Sequence, residues 1–455
     1  MDEFDAIVIG AGPAGEACAG RIGQGGLSVA IVEQHLIGGE CSYYACMPSK
    51  SLLRPDETLA EARRIPGARE AASGDLDVEA VLRRRDEVIH NLDDSSQLPW
   101  LEDRGVTVVR GSARIAGERR IEVDGRTLTA RKAVVVATGS TPVMPPIPGL
   151  PDASPWTNRE ATTAHQAPER LVVLGGGVVG VELAQAWSSL GSQVSVVEAL
   201  SRLIAREEPF ASQQVHDALV ARGIDVRTGS KAVRVTGRKG DVSVELDSGD
   251  RVSGDELLVG VGRRAATGEL GLETVGLEPG KPIEVDERMR AHDSDWLYAI
   301  GDANGRVLLT HMGKYQGRIA ADVILGRDAR LDRRADGPLS PRVIFTDPQV
   351  AAVGHTLESA REAGIDARAV DRETSGNAGG SFYGRGAPGT SRLVVDEGRG
   401  VVAGATVTGA EVAEFLHAAT IAVVAEVPLE RLWHAVPSFP TRSEVWLRLL
   451  EEYGL

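Results

Sequence analysis

A chain of 455 residues, 42% hydrophobic and 25% charged, has the make-up of a globular enzyme of about three domains with a large core. Its net charge of -15 and pI near 5.2 argue against nucleic acid or an anionic membrane surface as partner. No uncharged apolar run reaches spanning length, three cysteines cannot form an extracellular disulfide framework, and the strand Ala6–Ile9 begins too early to leave room for a signal peptide, so the expected compartment is the cytosol.

In chain order, the apolar run Ala6–Ile9 feeds Gly10-Ala-Gly12-Pro-Ala-Gly15 and then a helical stretch, and a second apolar strand, Val29–Val32, ends in Glu33. The unit recurs. Leu171–Leu174 leads into Gly175-Gly-Gly177-Val-Val-Gly180, and Val194–Val197 ends in Glu198, with the acid at the same offset from the first glycine. In such a unit the first glycine makes the tight turn, the second lets backbone approach a pyrophosphate, and the third lets helix pack on strand. The helix N-terminus faces the phosphate and the carboxylate accepts from ribose hydroxyls. Two copies in register predict two bound dinucleotides.

Between the copies lies Cys41-Ser-Tyr-Tyr-Ala-Cys46, flanked by Gly38-Gly39-Glu40 and Met47-Pro48-Ser49-Lys50. Two thiols in bonding reach, beside a cation and a cofactor, form a two-electron relay; the plain alternative is two unrelated buried thiols. Positions five apart on an ideal helix have Cα atoms ~8–9 Å apart, beyond the roughly 7 Å limit for a disulfide. A bonded pair therefore requires Cys41 in an irregular turn and Cys46 at the start or in a distorted turn of the next helix, with Gly38 and Gly39 supplying the bend. No further Cys or His cluster completes a zinc site, so no metal is expected. Cys18 reads as a small core residue.

A charged helix-like stretch follows from Glu57 to Asn91, then strands near Val106–Val109 and Ala133–Val136, the latter ending in Ala137-Thr138-Gly139-Ser140. The proline-rich stretch from Pro142 to Pro151 reads as a linker. A β-rich segment runs from Asp225 to Gly262, a buried strand Leu297–Ile300 ends in Gly301-Asp302, and a helix is predicted from Lys314 to Leu325. After the polar stretch from Arg327 to Gly337 comes an α+β module, with strands at Pro341–Phe345 and Arg392–Val395 and helices at Ala410–Ala425 and Glu444–Glu452.

These motifs, with Phe345-Thr-Asp-Pro348 and Pro440-Thr-Arg-Ser-Glu444, resemble over essentially the whole length the flavoprotein disulfide reductases, the pyridine nucleotide-disulfide oxidoreductases that include dihydrolipoamide dehydrogenase, glutathione reductase and mercuric reductase. The resemblance implies an α/β fold with two Rossmann-like dinucleotide-binding domains and a C-terminal α+β dimerisation domain. The FAD-binding domain would comprise 1–150 and, with the central part, 269–335; 151–268 would bind NAD(P) and 336–455 would form the dimer. It implies FAD at Gly10, Gly12, Gly15 and Glu33, with Asp302 on the ribityl side and Lys50 near the isoalloxazine. The nicotinamide nucleotide would lie at Gly175, Gly177, Gly180 and Glu198. Further cofactor contacts are implied at Ala113, Thr138, Gly139, Ser140, Gly262 and His311. Glu182 matches the family's partner for Lys50. Electrons would run from NAD(P)H through flavin to a Cys41–Cys46 disulfide, Cys46 facing the flavin and Cys41 exchanging with a small-molecule disulfide or other acceptor. A carboxylate at Glu198 repels a 2′-phosphate and favours NADH, although Arg202 and Arg206 lie close in sequence.

One element departs from the family pattern. Disulfide-reducing members carry His-Pro-Thr-x-x-Glu, whereas this chain has Phe439-Pro-Thr-Arg-Ser-Glu444, with phenylalanine in the acid/base slot and His434 five residues upstream. In the implied homodimer Phe439 and Glu444 face the other subunit's Cys41. Losing such a base costs about a hundred to ten-thousand fold in rate. Tyr43, Tyr44 and Val178 also depart from the usual pattern, as packing or as a changed pocket. The competing readings are a diaphorase or quinone-type reductase that bypasses the disulfide, an enzyme like 2-ketopropyl-coenzyme M oxidoreductase/carboxylase, which also has phenylalanine in the slot, and an assembly subunit of a larger complex.

Overall fold

The computed structural model describes Asp2 to Leu455 apart from Arg385 and Pro388, and the chain divides into two compact units. The first comprises Met1–Pro48, Asp86–Val143 and Arg263–Gly337. Its seven-stranded sheet runs in the order Val106–Arg110, Val29–Glu33, Asp2–Ile9, Arg126–Val136, Arg120–Val123, Ala113–Ile115, with Leu297–Ala299 also pairing on Arg126–Val136. Ile7 lies in register with Ala30 on one side and Val134 on the other, and both of these pairings are parallel. Fully buried apolar runs of this kind are what a parallel sheet covered on both faces requires. The antiparallel arm, Ala113–Ile115 with Arg120–Val123, extends beyond the predicted strands.

The helix predicted from Lys314 starts a turn earlier and spans Thr310–Ile324. Gly313 and Gly317 weaken intrinsic helix propensity, but they are where this helix crosses Pro13–Gln24. A Cβ at Gly317 would lie 2.6 Å from Ala14 O, and one at Gly313 3.1 Å from Ala14 Cβ. The charged stretch read as one helix from Glu57 to Asn91 is two, Cys46–Arg64 and Val78–Val88. The first ends at Arg64, just ahead of Pro66-Gly67, where Gly67 takes φ +95°.

The second unit comprises Ser49–Arg85, Met144–Gly262 and Pro338–Leu455. Its parallel sheet has the order Asp225–Arg227, Gln193–Val197, Arg170–Leu174, Glu256–Val259. The β-rich segment from Asp225 thus contributes its two ends to this sheet, while Ala232–Arg238, Asp241–Leu246 and Arg251–Gly254 form an antiparallel sheet of their own. The C-terminal module is a five-stranded antiparallel sheet, Arg342–Ile344, Gln349–Gly354, Val401–Gly409, Thr390–Asp396, Ala367–Glu373, with helices Leu416–Val424 and Val445–Tyr453. Among the described residues no helix is long and apolar enough to cross a membrane.

Candidate active site

The two glycine turns are built alike. Gly10 and Gly175 take φ +101° and +107°, and a Cβ on either would press into the neighbouring strand end, 2.7 Å from Ala137 C and 2.6 Å from Gly260 O respectively. Cβ atoms at Gly15 and Gly180 would overlap the carbonyls of Gly10 and Gly175. At Gly12 and Gly177, by contrast, an added Cβ meets nothing within 4 Å, and neither following helix, Pro13–Gln24 nor Val178–Ser189, has a side-chain cap. Each turn therefore presents open space and a helix N-terminus without a side-chain cap where a pyrophosphate would sit.

The acids are held alike too. Glu33 accepts from the Ala11 amide at 2.8 Å and the His35 amide at 2.7 Å. Glu198 accepts from the Gly176 amide at 2.5 Å and the Leu200 amide at 2.7 Å. Arg202, whose position clouded the cofactor reading, donates to the carbonyls of Ala205 and Glu207 and so is turned into its own loop.

In the first unit, Ser140 Oγ donates to Asp302 Oδ2, and Arg263 donates to both Ser140 Oγ and Ser140 O at 2.8 Å. Arg263 also lies 3.6 Å from Glu40. Burial holds the Asp302 carboxyl above the usual carboxylate range, against the opposing pull of the Ser140 hydrogen bond and the Arg263 charge. Thr138 Oγ1 is buried without a hydrogen-bond partner among the described residues. Gly139 takes φ +74°, Gly262 φ +137°, His311 lies in the first turn of Thr310–Ile324, and Ala113 opens the antiparallel arm. Arg263 escaped the sequence reading because only the antiparallel pairing of Arg263–Ala265 with Ser140–Pro142 brings it to Ser140.

The cysteines meet as their flanking glycines require. Gly38 and Gly39 take φ +105° and +59°, and Gly39 packs so closely on Gly12 that a Cβ would lie 2.8 Å from its Cα. Cys41 sits in a single helical turn, Gly39–Tyr43, rather than in the irregular turn expected, and Tyr44 (φ -132°) breaks that turn so that Cys46 opens the next helix. Neither sulfur is in a disulfide, and Cys41 hydrogen-bonds Cys46. That bond, burial and charge on Cys46 push the Cys41 thiol well above its ordinary range, opposed by Thr310 and Lys314. Cys46 Sγ lies 3.3 Å from Thr310 Oγ1, a contact that no motif signalled.

In the second unit Glu182 is buried, accepting from Lys50 Nζ at 2.6 Å through one oxygen and from the Phe345 amide at 2.9 Å through the other. Lys50 also stands 4.9 Å from the Phe345 ring centroid. The Phe345-Thr-Asp-Pro stretch is thereby explained as a clamp, since Asp347 donates its amide to Gln185 Oε1 at 2.8 Å, one turn along the same helix. Glu182→Leu strips both donors of their acceptor and is expected to cost ~2–4 kcal/mol, read as a lower denaturant midpoint. A loss below ~0.5 kcal/mol would show that the clamp is not structural.

Phe439, joined to Pro440 by a cis peptide bond, is 77% exposed. Glu444 is buried and accepts from Arg448 at 2.8 Å, and His434 is exposed beyond the helix Leu429–Trp433. No imidazole stands against Glu444 among its described partners.

Residues 4–317 match the family model "Pyridine nucleotide-disulphide oxidoreductase", and residues 340–449 match its dimerisation domain. The chain is 34% identical over 453 residues to a dihydrolipoyl dehydrogenase of Thermus scotoductus, covering 98% of this chain and 96% of that one. It is 32% identical over 441 residues to a mercuric reductase of Acidithiobacillus ferrooxidans, covering 94% and 79%. Among solved structures it resembles LpdA from Mycobacterium tuberculosis, with a TM-score of 0.86 at 25% identity over all of both chains. It also resembles the HOCl-induced flavoprotein disulfide reductase RclA from Escherichia coli, with a TM-score of 0.85 at 26% identity over 98% and 99%. With both family domains matched across an α/β fold that carries two dinucleotide turns, the chain belongs to the pyridine nucleotide-disulfide oxidoreductases, enzymes that use FAD and NAD(P)H.

Proposed function

We propose that this chain is a cytosolic, homodimeric, NADH-dependent flavoprotein that reduces its acceptor through Cys41 and Cys46. The observation that carries the reading is the pair of thiols, hydrogen-bonded to each other where a helical break sets Cys46 at the head of a long helix. Gly10, Gly12, Gly15, Glu33, Ser140 and Asp302 would hold FAD, with Ala113, Thr138, Gly139 and His311 completing the site. The open Gly12 turn and the unpartnered Thr138 hydroxyl fit such a group. FAD supplies a two-electron carrier between nicotinamide and sulfur. On the protein side, the dithiol gives two electrons to the acceptor and becomes a disulfide, releasing two protons. Cys41 attacks the acceptor and Cys46 then closes the ring. Lys50, fixed by Glu182, supplies a cation for developing negative charge.

Gly175, Gly177, Gly180, Glu198 and Gly262 would hold the nicotinamide nucleotide. Both amide-tied oxygens of Glu198 keep lone pairs for ribose hydroxyls, and Arg202 is occupied by backbone carbonyls, which supports NADH. Glu198→Arg is expected to shift the NADPH:NADH ratio of kcat/KM upward by about ten- to a hundred-fold; an unchanged ratio removes Glu198 as the determinant.

Phe439 carries no proton, so the acceptor fitting this site is one that does not depend on an imidazole to protonate a departing thiolate. The rival path is direct transfer to a quinone or dye without the thiols. Anaerobic titration with NADH separates the two: a long-wavelength band after two electrons marks thiolate against oxidised flavin, and direct bleaching of the yellow protein rejects the relay.

A further inference from the structure

A thiol pair that must carry negative charge needs a counterweight, and in this chain the position from which an imidazolium would supply it holds Phe439. The first unit contains its own candidates. The helix Thr310–Ile324 begins against the cysteines, with Thr310 Oγ1 3.3 Å from Cys46 Sγ. Lys314 follows one turn later and therefore shares the face that Thr310 presents to the pair. Both residues act on Cys41 as well, each drawing its proton affinity down against burial and the neighbouring sulfur. Cys46 is also the first residue of Cys46–Arg64, where the helix dipole favours an anion. From Thr310–Ile324 the groups that act on the pair are thus Thr310 and Lys314. Glu16, on Pro13–Gln24, also faces Lys314; burial raises it to about 7, the Lys314 charge opposing.

Resting on the reading that Cys46 bears the charge in the reduced enzyme, we infer that Thr310 and Lys314 are the thiolate-stabilising groups of this site, supplying from the same chain what an imidazolium would supply from the position of Phe439. The Thr310 hydroxyl donates to the Cys46 sulfur once that sulfur is ionised, and the Lys314 ammonium offsets the charge shared with Cys41. Thr310 touches a reacting atom; Lys314 acts on it through the field.

The test uses the reduced holoenzyme, with iodoacetamide as the thiol probe and mass-spectrometric mapping of the modified cysteine. Thr310→Val keeps the shape and removes the donor. It is expected to slow alkylation of Cys46 at neutral pH about tenfold, because the thiolate fraction falls tenfold for each unit by which a thiol rises above ambient pH. Thr310→Ser is expected to restore the rate, and Lys314→Met to slow it about threefold. The long-wavelength band of the NADH-reduced protein should weaken in the same order. Parent-like alkylation and band in Thr310→Val overturn the inference while leaving the relay standing. A parent protein with no long-wavelength band overturns both.

Discussion

Cys41→Ser is expected to lower acceptor turnover by at least ~10²–10⁴-fold, because it removes the sulfur that attacks the acceptor and leaves Cys46 with no partner to close on. The substitution is nearly isosteric and Cys41 is only half-buried, so stability should change little. Anaerobic NADH titration of the variant distinguishes the two halves of the cycle. Reduction by NADH should persist, since the glycine turns and the Lys50–Glu182 pair are untouched. Reoxidation by acceptor should fail. Intact turnover in Cys41→Ser would mean that electrons leave by a route that ignores the disulfide, and the quinone-type reading would replace the present one.

Phe439→His tests the departure from the family pattern. A positioned acid/base is worth about a hundred to ten-thousand fold, so the variant is expected to gain reduction of lipoamide-like or glutathione-like disulfides. The gain should fall at the low end, because Glu444, which would orient the new imidazole, is engaged by Arg448 at 2.8 Å. Phe439→His combined with Arg448→Met frees that carboxylate and should raise the gain further. Both variants are assayed with NADH and the oxidised disulfide, following kcat/KM against pH; a histidine that participates introduces a new ionisation near neutrality. No gain in either variant would show that pocket shape, with Tyr43 and Tyr44 between the cysteines, limits the reaction.

Where motif and local geometry coincide, the site was legible in the sequence. Glycine spacing announced both turns, and the acid at equal offset announced Glu33 and Glu198, because a tight turn and a helix packed on a strand leave only glycine room at Gly10 and Gly15. The reach of a disulfide narrowed Cys46 to the start or a distorted turn of the next helix, and it takes the start, while Cys41 takes a helical turn instead of an irregular one. What escaped depends on partners far along the chain. Thr310 and Arg263 look ordinary in their own segments and become site residues only through a helix end and a strand pairing. The strands Gln349–Gly354 and Val401–Gly409 were missed for a related reason: small residues dilute the apolar alternation, and Gly404 is required because a Cβ there would crowd the His355 backbone. The helix Thr310–Ile324 was shortened by the same glycines that let it cross its neighbour.

The paired amide ties on Glu33 and Glu198 make each acid a keystone of its turn as well as a reader of the sugar. A change of coenzyme at Glu198 therefore has a structural cost beside its electrostatic gain: a residue that cannot accept from Gly176 and Leu200 leaves both amides without an anchor and loosens the arch they form.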